Sequence, residues 1–165
     1  RRHRAAFRRL SHPRLLEPGI LVGKPRHLLP TILVGIHRLR IPREAYSYKV
    51  LSANPVRIAG RDGLTYLSRK AMTSVRRLHF TTTDFFWGMV DGGHMTESNL
   101  HYLIDRLPFG THEIMMHPGR STAVLSQSFA WGYHWQDEFQ ALLSPEIRRQ
   151  LEAKQIELIT YGDLP

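Results

Sequence analysis

A short apolar run closed at both ends by proline and glycine, residues 107–119 (LPFGTHEIMMHPG), limits what this chain can fold into more than any other feature. Pro108 and Gly110 release the chain from the preceding element. Pro118 closes the run, because proline cannot donate to a strand ladder and drives the residue before it out of helical backbone. The spacing predicts a strand over 113–117. Alternation then puts Glu113, Met115 and His117 on one face and Ile114 and Met116 on the other. His117 thereby stands at the carboxyl end of a strand, where α/β folds collect their chemistry. The same place also suits a histidine that only bonds a loop. Glu113 lies ~13 Å back along the strand at about 3.3 Å per residue, too far to touch the imidazole, and reads as a buried structural acid.

Helical spacing recurs on either side of this strand. Leu64, Leu67, Ala71, Val75 and Leu78 share one face of a predicted helix, with Arg69, Lys70, Arg76 and Arg77 on its solvated face. Thr96 is a predicted N-cap ahead of Leu100, Leu103, Ile104 and Leu107. Ser144-Pro145 opens a short helix with Ile147 and Leu151 inward, and residues 156–160 read as a last strand. Trp131, Trp135, Phe139 and Leu142 fall at helical spacing and read as packing. Residues 31–39 read as a short helix. Residues 45–63 read as irregular, with turn signals at Asn54-Pro55 and Arg61-Asp62-Gly63, and 120–128 as a mobile Ser/Thr-rich loop. Strands separated by helices argue a parallel α/β sheet with right-handed crossovers.

Length and charge divide the chain. Its 165 residues, 42% of them apolar, suit one domain with a real core. The net charge of +9 is concentrated at the front, where residues 1–49 carry twelve Lys and Arg against Glu17 and Glu44. Residues 1–18 (RRHRAAFRRLSHPRLLEP) therefore read as a basic, poorly ordered head, and 19–165 as the folded domain. Nucleic-acid binding through Arg1 to Arg14 ranks last among the functions considered, because Phe7 is the one aromatic residue in 1–12 and the basic residues share no helical face. The chain has no cysteine, which excludes disulfides, thiolate metal sites and cysteine nucleophiles. It holds no apolar run of about 18 residues and no signal-peptide core, so no membrane span is expected and the expected location is cytoplasmic. A start at Arg1 rather than Met reads as a fragment.

Gly110-Thr111-His112-Glu113-Ile114-Met115-Met116-His117-Pro118-Gly119 resembles the G-x-x-E-I-x-x-H-P-G segment of the YdjC-like carbohydrate deacetylases, and within them the hopanoid-biosynthesis-associated branch. The resemblance continues through Thr83-Asp84-Phe85-Phe86-Trp87-Gly88 and Gly93-His94-Met95-Thr96, and through Trp135 to Pro145, similar to the family's E-x-x-x-L-x-S-P piece. Residues 156–164 resemble its terminal strand. Leu39 to Glu44 resembles a V-R-I-P-R-E strand end, and Lys24 to Ile32 a metal-binding H-K-H-x-H-x-x-P-T-I segment in which Gly23 and Pro25 replace histidines. Residues 24–165 can be laid on the family pattern, most closely after residue 80.

The resemblance implies an incomplete (β/α) barrel of the polysaccharide-deacetylase-like type with mostly parallel strands, formed by the C-terminal portion of such an enzyme. It implies hydrolysis of an acetamide on an N-acetylated sugar or glycolipid, assisted by a divalent metal, Mg or Zn, that acidifies a water. His117 is then the candidate catalytic residue, as proton donor or pocket hydrogen-bonder. Arg40, Asp84 and Trp87 are candidate substrate contacts, and His27 is the candidate metal ligand. Arg40 can alternatively pair with Glu44 on the surface, Asp84 can serve a turn, and Trp87 can be core. The family's D-D-F-G segment, source of its base and one ligand, has no counterpart here, so little or no activity is expected. A rival reading from another class is a non-catalytic subunit, such as a homodimer, that pairs through an exposed sheet edge.

Overall fold

Among the described residues four short strands form one parallel sheet. The structure, a computed structural model, describes residues 3–6, 37–44 and 55–164. Strands β1 (His3–Ala6), β2 (Phe85–Trp87), β3 (Thr111–Ile114) and β4 (Ile156–Ile159) lie in the order β2-β3-β1-β4. Every pairing is parallel, with Phe85 beside His112 and Ala6 beside both Glu113 and Ile159. The fold is therefore α/β, as the alternation of strands and helices predicts. The basic head contributes where order was not expected: His3–Ala6 is an inner strand. The backbone groups that β3 and β4 turn toward each other need partners, and β1 supplies them.

β3 starts and stops earlier than the strand expected over 113–117. The reason lies in its neighbour. Met115 N–H still donates to the Trp87 carbonyl at 2.9 Å, but β2 ends there. Gly88, at φ 101°, then turns the chain away, leaving Met116 and His117 to continue as extended loop. A side chain at Gly88 would drive its Cβ into the Met115 carbonyl, so glycine is required by close approach as well as by backbone angle.

The helices among the described residues are α1 (Pro55–Arg77), α2 (Glu97–Asp105), α3 (Thr122–Ser128), α4 (Trp135–Leu143) and α5 (Pro145–Ala153). Thr96 caps α2 by accepting from Asn99 N–H, and Ser144 caps α5 by accepting from Glu146 and Ile147 N–H, as expected. The main core joins sheet and helices through Trp87, Leu100, Ile104, Ile114, Ala141, Ile147, Leu151 and Ile156. Each large side chain among them contributes about 1.5–3 kcal/mol.

Three expectations are corrected. The helix expected from Leu64 begins at Pro55, because proline fits the first helical position and the glycines at 60 and 63 cost only about 1 kcal/mol each. Its buried positions are Arg61, Thr65, Ser68 and Val75; Val75 lies on the face expected, and the other three lie one step round from it. Ser68 Oγ donates to the Pro42 carbonyl at 3.2 Å, so polar anchoring to the 37–44 segment outweighs the apolar pattern. Residues 37–39, expected as the end of a helix, are extended and bridge Thr81. The expected loop at 120–128 holds helix α3, capped by Ser121 and tied to α4 where Gln136 N–H donates to Thr122 Oγ1 at 3.1 Å. Among the described residues no helix is long and apolar enough to cross a membrane.

Gly88→Ala should lower the unfolding free energy by about 1–3 kcal/mol through left-handed strain and the Met115 clash. A urea midpoint unchanged from wild type would contradict that placement.

Candidate active site

The chain leaving β3 and the loop leaving β2 meet at the carboxyl end of the sheet. His117 sits there, its side chain 28% exposed. Its ring lies 4.9 Å from that of Tyr133, and its Cε1 closely approaches Gly92. Nδ1 is buried, has no hydrogen-bond partner among the described residues, and lies 4.0 Å from Glu138 Oε2. That carboxylate, at 0% exposure, accepts from the His117 backbone N–H and, through Oε1, from Met95 N–H at 2.9 Å. One buried acid on α4 thus fixes both strand-end loops and faces the imidazole. A negative oxygen opposite Nδ1 favours the tautomer with its proton there and the lone pair on Nε2.

Burial pushes the His117 pKa below its ordinary value near 6.5, Glu138 opposes this, and the guanidiniums of Arg57 and Arg40 add to it. The imidazole is neutral at pH 7. His94 is also lowered, by burial first and then by His134 and Arg57. Unfolded chains bind protons that these folded rings refuse. Stability therefore rises with pH through the window from the lowered folded values up to about 6.5, and is lost as pH falls through it.

Two further carboxylates brace the same end of the sheet. Glu44 accepts from the backbone N–H groups of Gly88, Met89 and Val90 at 3.0, 3.1 and 3.3 Å, and burial raises its pKa despite those bonds. Glu113 is 1% exposed, as expected of a structural acid, and is met by Arg40 and by the Tyr161 hydroxyl. Arg40 Nε donates to Glu113 Oε1 at 2.7 Å, so its partner is Glu113 rather than the Glu44 weighed from the sequence. Burial and that carboxylate both drive the Tyr161 pKa upward.

The sequence-derived candidates are only partly brought together. His117 and Arg40 share one electrostatic neighbourhood. Asp84 is committed elsewhere: it accepts from Thr111 N–H and Oγ1, each at 2.8 Å, stitching the starts of β2 and β3. Trp87 is 7% exposed and donates its indole N–H to His112 Nδ1 at 3.1 Å, while His112 Nε2 bonds the Pro108 carbonyl at 2.9 Å. That pair of bonds fixes the His112 tautomer inside the core. His27 lies outside the described residues. Glu138, Tyr133 and Arg57 were not singled out. Glu138 is the glutamate of the E-x-x-x-L-x-S-P piece read in the sequence, which was the available signal for the first.

This geometry sits on a stretch whose relatives can be named. Residues 10–153 match the family of YdjC-like proteins. The chain belongs to that family. A carbohydrate deacetylase 2 of Listeria innocua serovar 6a is 32% identical over 71 residues, which are 41% of this chain and 29% of that relative. The YdjC-like chain thus spans less than a third of that protein's length in the matched region. No solved structure matches it at a significant level.

The metal that the resemblance implies finds no cradle among the described residues of this YdjC-like chain. Nowhere among them do three or more His, Asp or Glu side chains converge closely enough to hold an ion. Divalent ions of this class require such a convergent set of imidazole and carboxylate donors. Glu138 accepts from two backbone amides, and with His117 it makes a pair rather than a trio of donors.

A proton-NMR titration should give His117 a midpoint below 6.5, and Glu138→Gln should lower it further, since the carboxylate favours the imidazolium. An unchanged or raised midpoint in a variant with wild-type near-ultraviolet circular dichroism would contradict the pairing.

Proposed function

We propose that this YdjC-like chain recognises an N-acetylated carbohydrate and is a degenerate carbohydrate deacetylase with little or no turnover of its own. The observation that carries the reading is His117, half-buried at the sheet's carboxyl end with Glu138 opposite Nδ1. Amide hydrolysis needs a group that exchanges a proton with water and leaving amine. In this reading Nε2 of the neutral imidazole is that group, Glu138 holds its orientation, and the Arg40 fork meets a sugar hydroxyl. The Listeria relative's name supports carbohydrate deacetylation as the ancestral chemistry. Asp84 and Trp87 then act behind the pocket wall, shaping it through Thr111 and His112. No step is assigned to a metal. His27 as its ligand, the incomplete (β/α) barrel and a glycolipid substrate of the hopanoid-associated branch rest on the sequence resemblance, and a cytoplasmic location rests on the hydropathy of the sequence.

The test is acetate release from N-acetylated chitobiose, with Mg or Zn added, beside the Listeria relative. Missing acid–base partners remove about 10²–10⁴-fold each, so release should be at least about 100-fold slower than in the relative. Comparable turnover would overturn the degenerate reading.

A second reading has one observation in its favour. β4 stands at the end of the sheet order, and Leu158 on it is 50% exposed. An open edge invites pairing with another strand. Size-exclusion chromatography should then give a dimer, and a monomer at high micromolar concentration would remove this alternative.

A further inference from the structure

Helix α1 carries its charge differently from α5. Its 23 residues hold six basic side chains, Arg57, Arg61, Arg69, Lys70, Arg76 and Arg77, against one acid, Asp62. Two of the six are engaged: Arg57 donates to the carbonyls of Val90 and Gly92 at 2.9 and 3.0 Å, and Arg61 pairs with Asp62 at 2.7 Å. The other four are exposed and meet no acid among the described residues. On α5, by contrast, the exposed cations are matched: Arg148 pairs with Glu152 at 3.2 Å, Arg149 pairs with Glu146, and Lys154 just beyond meets Asp105 at 3.0 Å. The helix macrodipole accounts for Arg76 and Arg77 in the last turn of α1, but Arg69 and Lys70 stand two turns back, beyond its reach.

At about 100° per residue the four cations share one half of α1 with Tyr66 and Leu67, and the buried Arg61, Ser68 and Val75 occupy the other half. Tyr66 is 57% exposed with the Lys70 ammonium 4.6 Å above its ring, and Leu67 is 37% exposed. We propose that α1 is a surface anchor that lies flat on an anionic lipid bilayer. Its four cations sit among the headgroup phosphates and carboxylates, and Tyr66 and Leu67 enter the boundary beneath them. A nucleic acid would take up the cations but leave Leu67 unserved, and a single exposed ring is no row of stacking platforms. A second copy of this chain, itself at +9, is repelled by the same charges. The anchor is separate from the deacetylase reading and stands or falls without it.

Cosedimentation of the full chain with vesicles of phosphatidylcholine, alone or mixed with phosphatidylserine, tests the anchor. Affinity should be at least about tenfold higher on the serine-containing vesicles and should fall as salt is raised. Arg69→Gln, Lys70→Gln, Arg76→Gln and Arg77→Gln combined should remove that preference, whereas Arg148→Gln with Arg149→Gln on α5 should leave it. All six side chains are exposed, so both variants should fold, and circular dichroism checks this. The chain has no cysteine, so Tyr66→Cys carries a single polarity-sensitive dye. Its emission should shift to the blue on the anionic vesicles, and the same dye at Glu152→Cys should not shift. Equal binding to the two kinds of vesicle, a preference retained by the fourfold variant, or an unshifted dye at position 66 would each overturn the anchor. So would tighter binding to a single-stranded or duplex oligonucleotide at the same salt, which would assign the face to nucleic acid.

Discussion

A carboxylate taken out of water must be met by donors or it will not stay charged, and this chain places three of them at one end of its sheet. Each would cost several kcal/mol unpartnered, so each imposes an arrangement on whatever donors reach it. Glu44 collects three successive backbone N–H groups and so shapes the loop after β2. Glu113 collects Arg40 and Tyr161, tying the 37–44 segment to the turn after β4. Glu138 collects the amides of Met95 and His117, and this last arrangement turns a strand end into a candidate site. The apolar core beneath would support many loop conformations. The buried acids select one.

The electrical properties of the imidazole are a consequence of that arrangement. His117 is near enough to Glu138 to have its proton position biased, yet buried enough to be neutral at pH 7. Two guanidiniums add to that depression, and both are held by groups other than the imidazole, Arg40 by Glu113 and Arg57 by backbone carbonyls. A site built this way is prepared to exchange a proton and to meet polar substituents.

Much of the fold was legible because it rests on local rules. The caps at Thr96 and Ser144, the apolar faces of α2 and α5, and the final strand each come from a few neighbouring residues. The parts that were not legible depend on distant partners. α1 turns a polar stripe inward because Pro42 receives Ser68, a bond between residues 26 apart that no periodicity reveals. His3–Ala6 is a strand paired with β3 on one side and β4 on the other, partners more than 100 residues away in the chain. At the site, His117 was legible from the proline after it, whereas its partner lies 21 residues on and is reached through tertiary packing. Trp131 packs on Trp135, ring centroids 6.3 Å apart, as its spacing suggests, although the helix begins only after Gly132 has redirected the chain.

The claim at the centre is that a buried carboxylate orients one ring at the mouth of the sheet. Long-range proton–nitrogen correlation spectra, recorded above the imidazole's midpoint, report which ring nitrogen of His117 carries the proton. The account requires protonated Nδ1 and bare Nε2 in the intact chain. A proton on Nε2, or equal populations of the two tautomers, would mean that Glu138 does not govern the ring.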